Sequence, residues 1–269
     1  MFDKHPKGLI AAALANLGER FGFYTMMAIL VLFLQAKFGM NGKEAGFIYS
    51  TFYFSIYILA LVGGIIADKT RNYKGTIFTG IVLMAVGYLL LAIPSKTPVD
   101  NQTFYLVITC ASLFVIAFGN GLFKGNLQAL VGQMYDDPKY SNLRDAGFQI
   151  FYMFINIGAV FAPFIAIGVR NWWLKVNNFD YDATLPELCH QYLEKGNDMA
   201  PQAMENLTTL AKSVVLDGTP VTDMGMFVNN YLDVFNRGFQ YAFMAAIGAM
   251  LVSLIIYMAN KKRFPDPAT

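Results

Sequence analysis

The 269 residues are 56% apolar and only 14% charged, include 24 Phe and 15 Tyr, and carry a net charge of +2. A soluble domain of ordinary composition holds about 25% charged residues, so this chain lacks the charge to wet a globular surface and is expected to face lipid over long stretches. The near-neutral balance also argues against nucleic acid as a partner.

Six apolar segments are long enough to cross a hydrocarbon core, which takes roughly 20 helical residues. They are predicted as helices, because each is continuously apolar with no alternation of period two. The first, 9–34, carries Glu19, Arg20 and Tyr24 at middle depth. The second, 46–67, holds Tyr57 and Gly63-Gly64 and ends on Asp68-Lys69, with Arg71 just beyond. The third is 76–94. In the fourth, 103–133, lie Gly119-Asn120-Gly121, Lys124 and Asn126, and the fifth, 147–169, presents Gln149, Tyr152 and Asn156. The frequent glycines are read as packing positions, since small residues let membrane helices approach closely.

The stretch 170–237 breaks the pattern, with five basic and nine acidic residues and Pro186, Pro201 and Pro220. It reads as a long loop with a short helix near 199–216. The sixth segment, 238–260, precedes Lys261-Lys262-Arg263. The expected organisation is therefore five helices over 1–169, the loop 170–237, and the sixth helix with the start of a linker over 238–269. Ten basic residues fall in segments on the N-terminal side of the membrane and three (Lys37, Lys43, Lys96) in the two short loops opposite. That bias predicts both termini in the cytoplasm and 170–237 outside. Cys110 and Cys189 offer no disulfide framework, and no cleavable leader pattern opens the chain.

Only Glu19, Arg20 and Lys124 are predicted to lie deep in the apolar segments. Each costs about 2.5–3.5 kcal/mol at a helix centre, so each needs a partner or a cavity. Adjacent helical positions project about 100° apart, so Glu19 and Arg20 are not expected to pair with each other. The sum of one acid and two bases leaves one excess positive charge, a plausible anion site and a poor stabiliser. Tyr24, Tyr57, Asn120, Asn126, Gln149, Tyr152 and Asn156 add hydrogen-bonding groups at middle depth. Together they suit a small polar ligand bearing a carboxylate; the plainer alternative is an ion network that fixes helix register. No metal cluster, carboxylate pair, activated nucleophile, phosphate loop or cofactor motif supports an enzyme.

Four motifs then carry a resemblance. Glu19-Arg20-Phe21-Gly22-Phe23-Tyr24 is similar to E-x-x-E-R-F-x-Y-Y. Gly63-Gly64-Ile65-Ile66-Ala67-Asp68-Lys69, with Arg71 and Lys74, resembles a facilitator loop motif. Gly119-Asn120-Gly121-Leu122-Phe123-Lys124-Gly125-Asn126, then Gly132-Gln133-Met134-Tyr135, matches G-x-G-x-x-K-x-N…G-x-Q-[FY]. Phe148-Gln149-Ile150-Phe151-Tyr152-Met153-Phe154-Ile155-Asn156-Ile157-Gly158 matches F-x-x-F-Y-x-x-I-N-x-G. In this order they resemble the proton-coupled oligopeptide transporter family of the major facilitator superfamily.

The resemblance implies an all-α integral membrane protein, the N-terminal six-helix bundle of a major facilitator fold, in a bacterial inner membrane. It implies di- or tripeptide transport by alternating access, with Arg20, Tyr24, Tyr57, Lys124 and Asn156 at the substrate, Glu19, Arg20 and Lys124 in proton coupling, and Asp68, Lys69 and Arg71 latching helix ends. Asn16 replaces the first motif Glu and Phe23 the first Tyr of the final pair, so one proton-carrying carboxylate is gone and Glu19 or Lys124 inherits the task. Facilitator transporters hold substrate between two six-helix halves, so a C-terminal half or a second copy is the expected partner. Two rivals stand beside this reading: a carrier of nitrate or another small organic anion, and a non-transporting scaffold working through 170–237.

Overall fold

The computed structural model describes residues 4–265 and shows eight α-helices among them. They are α1 (Gly8–Phe38), α2 (Gly42–Thr70), α3 (Tyr73–Leu91), α4 (Gln102–Gln133), α5 (Arg144–Val176), α6 (Leu185–Lys195), α7 (Pro201–Val214) and α8 (Met224–Asn260). Six of them, all but α6 and α7, are long and apolar enough to cross a membrane. Their starts are written in short polar residues. Asn41 and Glu44 form a reciprocal capping box on α2, while Asn101 and Asp223 cap α4 and α8 by accepting backbone N–H groups.

Close helix crossings follow the glycines. A Cβ on Gly63 of α2 would fall 2.2 Å from the Gly121 carbonyl oxygen of α4, and one on Gly80 of α3 would fall 2.6 Å from that of Gly119. Asn126 fastens the first crossing by donating to the Gly63 carbonyl at 3.1 Å. Gly63→Ala is expected to lower the stability of the purified protein by about 1–3 kcal/mol, the usual cost of overpacking. Gly64→Ala, whose Cβ meets open space, is the control that should melt like wild type.

The first and last described segments meet at one end of the bundle. His5 Nδ1 lies 2.8 Å from the Tyr135 hydroxyl, a Cβ on Gly8 would reach the Arg263 carbonyl at 2.9 Å, and Tyr257 donates to the Lys74 carbonyl. The opposite end carries a cap. Helix α5 continues past 169 to Val176 and α8 starts at Met224, so much of 170–237 is helical. The cap comprises α6, α7 and an isolated antiparallel bridge between Phe179 and Val215. It packs on the N-terminal half of α8 through Phe179, Phe227, Tyr231 and Phe235, whose rings follow one another at 5.2–6.0 Å up to Phe239.

Beside Lys74, which is buried at the start of α3, Lys37 and Arg170 are buried cations added to the sequence reading. Lys37, counted there as a loop charge, is 4% exposed, its ammonium 5.2–5.7 Å from the rings of Phe33, Phe38 and Tyr105. Arg170 is also 4% exposed and lies 3.6 Å over the Tyr181 ring, with Asn171 accepting from its Nε and Nη2. Desolvated cations over aromatic faces gain on the order of 2 kcal/mol, which is how both tolerate burial without a carboxylate.

The cap also terminates α1. The last carbonyls of a helix have no partner within it. Here Gly39, at φ 67°, returns its N–H to Gln35, His190 of α6 donates Nε2 to the Ala36 carbonyl at 2.7 Å, and Gln102 donates to Phe38. Burial pushes the His190 imidazole below its usual range, outweighing the Ala36 carbonyl and Glu194, which favour its proton. The folded protein therefore binds fewer protons at His190 than the unfolded chain, so its stability falls as pH drops below about 6.5. Thermal melts at pH 7 and 5 should show that loss, and His190→Gln, which keeps a donor but cannot titrate, should reduce it.

Candidate functional site

Helix α1 is held in the middle of the bundle by small residues. Gly18 and Gly22 face the Ala249 and Ala246 carbonyls of α8, and Gly158 of α5 sits against Leu17, Phe21 and the Cβ of Arg20. Between these contacts Glu19 and Arg20 are 0% and 4% exposed. Contrary to the expectation from helical directions, they pair with each other. Arg20 Nε and Nη2 donate to Glu19 Oε2 and Oε1, each at 2.5 Å. The reason is side-chain length. Cβ atoms project about 100° apart, but three methylenes let the guanidinium fold back and meet the carboxylate fork on fork.

Asn120 of α4 completes the group by donating Nδ2 to Glu19 Oε1 at 2.8 Å. The Arg20 guanidinium lies 4.6 Å from the Phe23 ring centre and 5.7 Å from that of Tyr24. Tyr88 of α3, fully buried, stands within electrostatic reach of both charges. The sequence reading passed it over because a single tyrosine in an apolar run carries no signal of its partners.

With Glu19 and Arg20 closed on each other, Lys124 is the one left of the three mid-depth charges read from the sequence. It is half-buried one turn beyond Asn120 and makes no ion pair among the described residues. Tyr24 is half-buried, but Tyr57 and Asn156 are exposed. Tyr57 donates to the Tyr53 hydroxyl at 3.1 Å in a row that continues to Tyr49. Asn156 shares one face of α5 with Gln149 and Tyr152, bordering an open hollow of about 540 Å³ with Val160 and Phe161. Asn126, grouped in the sequence with the candidate ligand contacts, is instead spent on the helix crossing. Asp68, Lys69 and Arg71 are all exposed, and Asp68 accepts from the Tyr73 hydroxyl in its own turn. Asn16, at the place of the first motif Glu, is buried.

A buried acid–base pair, an unpaired lysine and an open row of tyrosines and amides can neutralise, bind and release a small charged ligand. Residues 74–268 match the family model described as the POT family. The chain belongs to the POT family. It is 34% identical over 171 residues to a di-/tripeptide transporter of Lactococcus lactis subsp. lactis (strain IL1403), covering 61% of this chain and 32% of that protein. It is 35% identical over 161 residues to dipeptide and tripeptide permease A of Enterobacter sp. (strain 638), covering 59% and 30%. Among solved structures, a POT family transporter in complex with 5-aminolevulinic acid superposes with a TM-score of 0.65 at 25% identity, over 98% of this chain and 40% of that one.

The chain thus spans about a third of the length of the curated relatives it matches. As a POT family member it is a multi-pass membrane protein of a transporter family, and its bacterial relatives give the inner membrane as its location.

Proposed function

We propose that this chain is the N-terminal bundle of a proton-coupled peptide transporter, and that Lys124 holds the carboxylate end of a di- or tripeptide. The observation that carries the reading is the interior charge balance. Glu19 and Arg20 neutralise each other, and Lys37 and Arg170 are covered by aromatic rings. Lys124, half-buried one turn from Asn120, is therefore the cation left for an anionic ligand group, and an ionisable residue within a spanning helix is functional by default. Tyr24, Tyr57 and Asn156 supply side-chain contacts on the open face, where a C-terminal six-helix half is the proposed partner. Glu19 is the proposed proton carrier, and Arg20 its counter-ion in the deprotonated state. Asp68, Lys69 and Arg71 are the proposed latch on the cytoplasmic side, which places the cap outside.

Competition in an uptake assay tests the substrate. Labelled dipeptide uptake should be blocked by unlabelled di- and tripeptides and indifferent to nitrate. Blockage by nitrate and not by peptides would move the assignment to a small-anion carrier, which a single excess cation also suits.

A further inference from the structure

Glu19 accepts three hydrogen bonds, from Arg20 Nε on Oε2 and from Arg20 Nη2 and Asn120 Nδ2 on Oε1. That set fits an ionised carboxylate, which only accepts. It also fixes the Asn120 amide, since its carbonyl oxygen turned toward Glu19 would repel the carboxylate. As a result Asn120 Oδ1 is buried with no partner, and Asn120 is itself 0% exposed. Buried amide oxygens are rarely left unused, and here the idle acceptor belongs to the same amide that already holds Glu19.

We propose that Asn120 is the positioning residue for the protonated state of Glu19, its Oδ1 being the acceptor held ready for the proton. The inference rests on the proposed role of Glu19 as proton carrier. A proton from solvent forms an O–H bond at Glu19 Oε2, and no other covalent bond changes. The acid then donates to Asn120 Oδ1 while Asn120 Nδ2 keeps donating to Oε1, the cyclic pairing of a carboxylic acid with a primary amide. Oε2 is the oxygen that Arg20 Nε now holds, so the ring forms only as Arg20 lets go. Protonation thereby turns the guanidinium, already flanked by Phe23 and Tyr24, toward a ligand carboxylate.

The other titratable groups around the pair are Tyr24 on α1, within reach of the Arg20 guanidinium, and Tyr88 on α3, within reach of both charges, while Lys124 sits one turn along α4 from Asn120. Against this part of α1, α5 brings Gly158, and α8 brings Ala246, Ala249, Met250 and Ser253, none of them charged. Among the described residues, the Tyr88 oxygen, within electrostatic reach of Glu19, is a further buried group without a partner.

Infrared difference spectra of the lipid-reconstituted chain, recorded across pH, test this directly. The carbonyl band of protonated Glu19, identified by its loss in Glu19→Gln, should lie low in the carboxylic range, as for a hydrogen-bonded acid. In Asn120→Leu it should move to higher wavenumber. Asn120→Ser, too short to span the gap, should move it the same way and serves if the leucine variant does not fold. A Glu19 band that titrates but stays in place in the folded variants overturns the role of Asn120. Absence of any Glu19 band at acid pH overturns the proton-carrier reading itself, and the inference with it.

Discussion

In the complete transporter, with the C-terminal half present, Lys124→Ala should abolish concentrative dipeptide uptake while leaving the bundle folded. Lys124 makes no ion pair among the described residues, so its removal orphans no internal charge and costs little stability. A ligand carboxylate loses far more. Hydrogen bonds to a charged group contribute about 1.5–3 kcal/mol, which corresponds to roughly 10- to 100-fold in affinity. Uptake by cells expressing the protein, alongside a thermal melt of the purified variant, reads both halves of the expectation. Wild-type uptake in Lys124→Ala would remove Lys124 from the substrate site, and a collapsed melt would make it a structural residue.

The opposite balance holds at Arg20. Arg20→Leu strands Glu19 at 0% exposure with Asn120 as its remaining hydrogen-bond donor. Breaking one side of a buried pair costs on the order of 3–5 kcal/mol, because the survivor is an uncompensated charge. The double variant Glu19→Gln with Arg20→Leu removes both charges and should recover much of that loss. A double-mutant cycle on unfolding midpoints gives the coupling. Additive single losses would show that the two side chains do not meet as described.

The six long helices were legible because a lipid-facing helix must be apolar over its whole span, and composition alone reports that. The positions that escaped are those where distant residues decide. Lys37 looks like a loop charge until Tyr105, on another helix, is placed beside it. Arg170 looks like the end of a span until Tyr181 folds back over it. Glu19 and Arg20 were placed correctly at depth, yet their pairing was missed because helix geometry fixes where a side chain starts and not where a long one ends. The depth of Lys124 was legible for the reverse reason, since the apolar run on either side of it fixes its place within a spanning helix. Of the cap, the helix expected near 199–216 is α7, while α6 escaped because it is short and polar on one side and its apolar face is covered only once α7 and α8 fold against it.

Helix α8 runs for 37 residues, about 55 Å at 1.5 Å per residue, against a hydrocarbon core of about 30 Å. Its length exceeds that core by about 25 Å, the cap is clamped to its first turns by aromatic rings, and α6 grips the end of α1 as well. A small helical bundle buried in a detergent belt offers electron microscopy few features by which to align particles. This cap is a landmark already attached to two of the spanning helices. An antibody fragment raised against α6 and α7 should therefore report the tilt of the whole bundle, and two such landmarks in one particle would reveal whether copies associate.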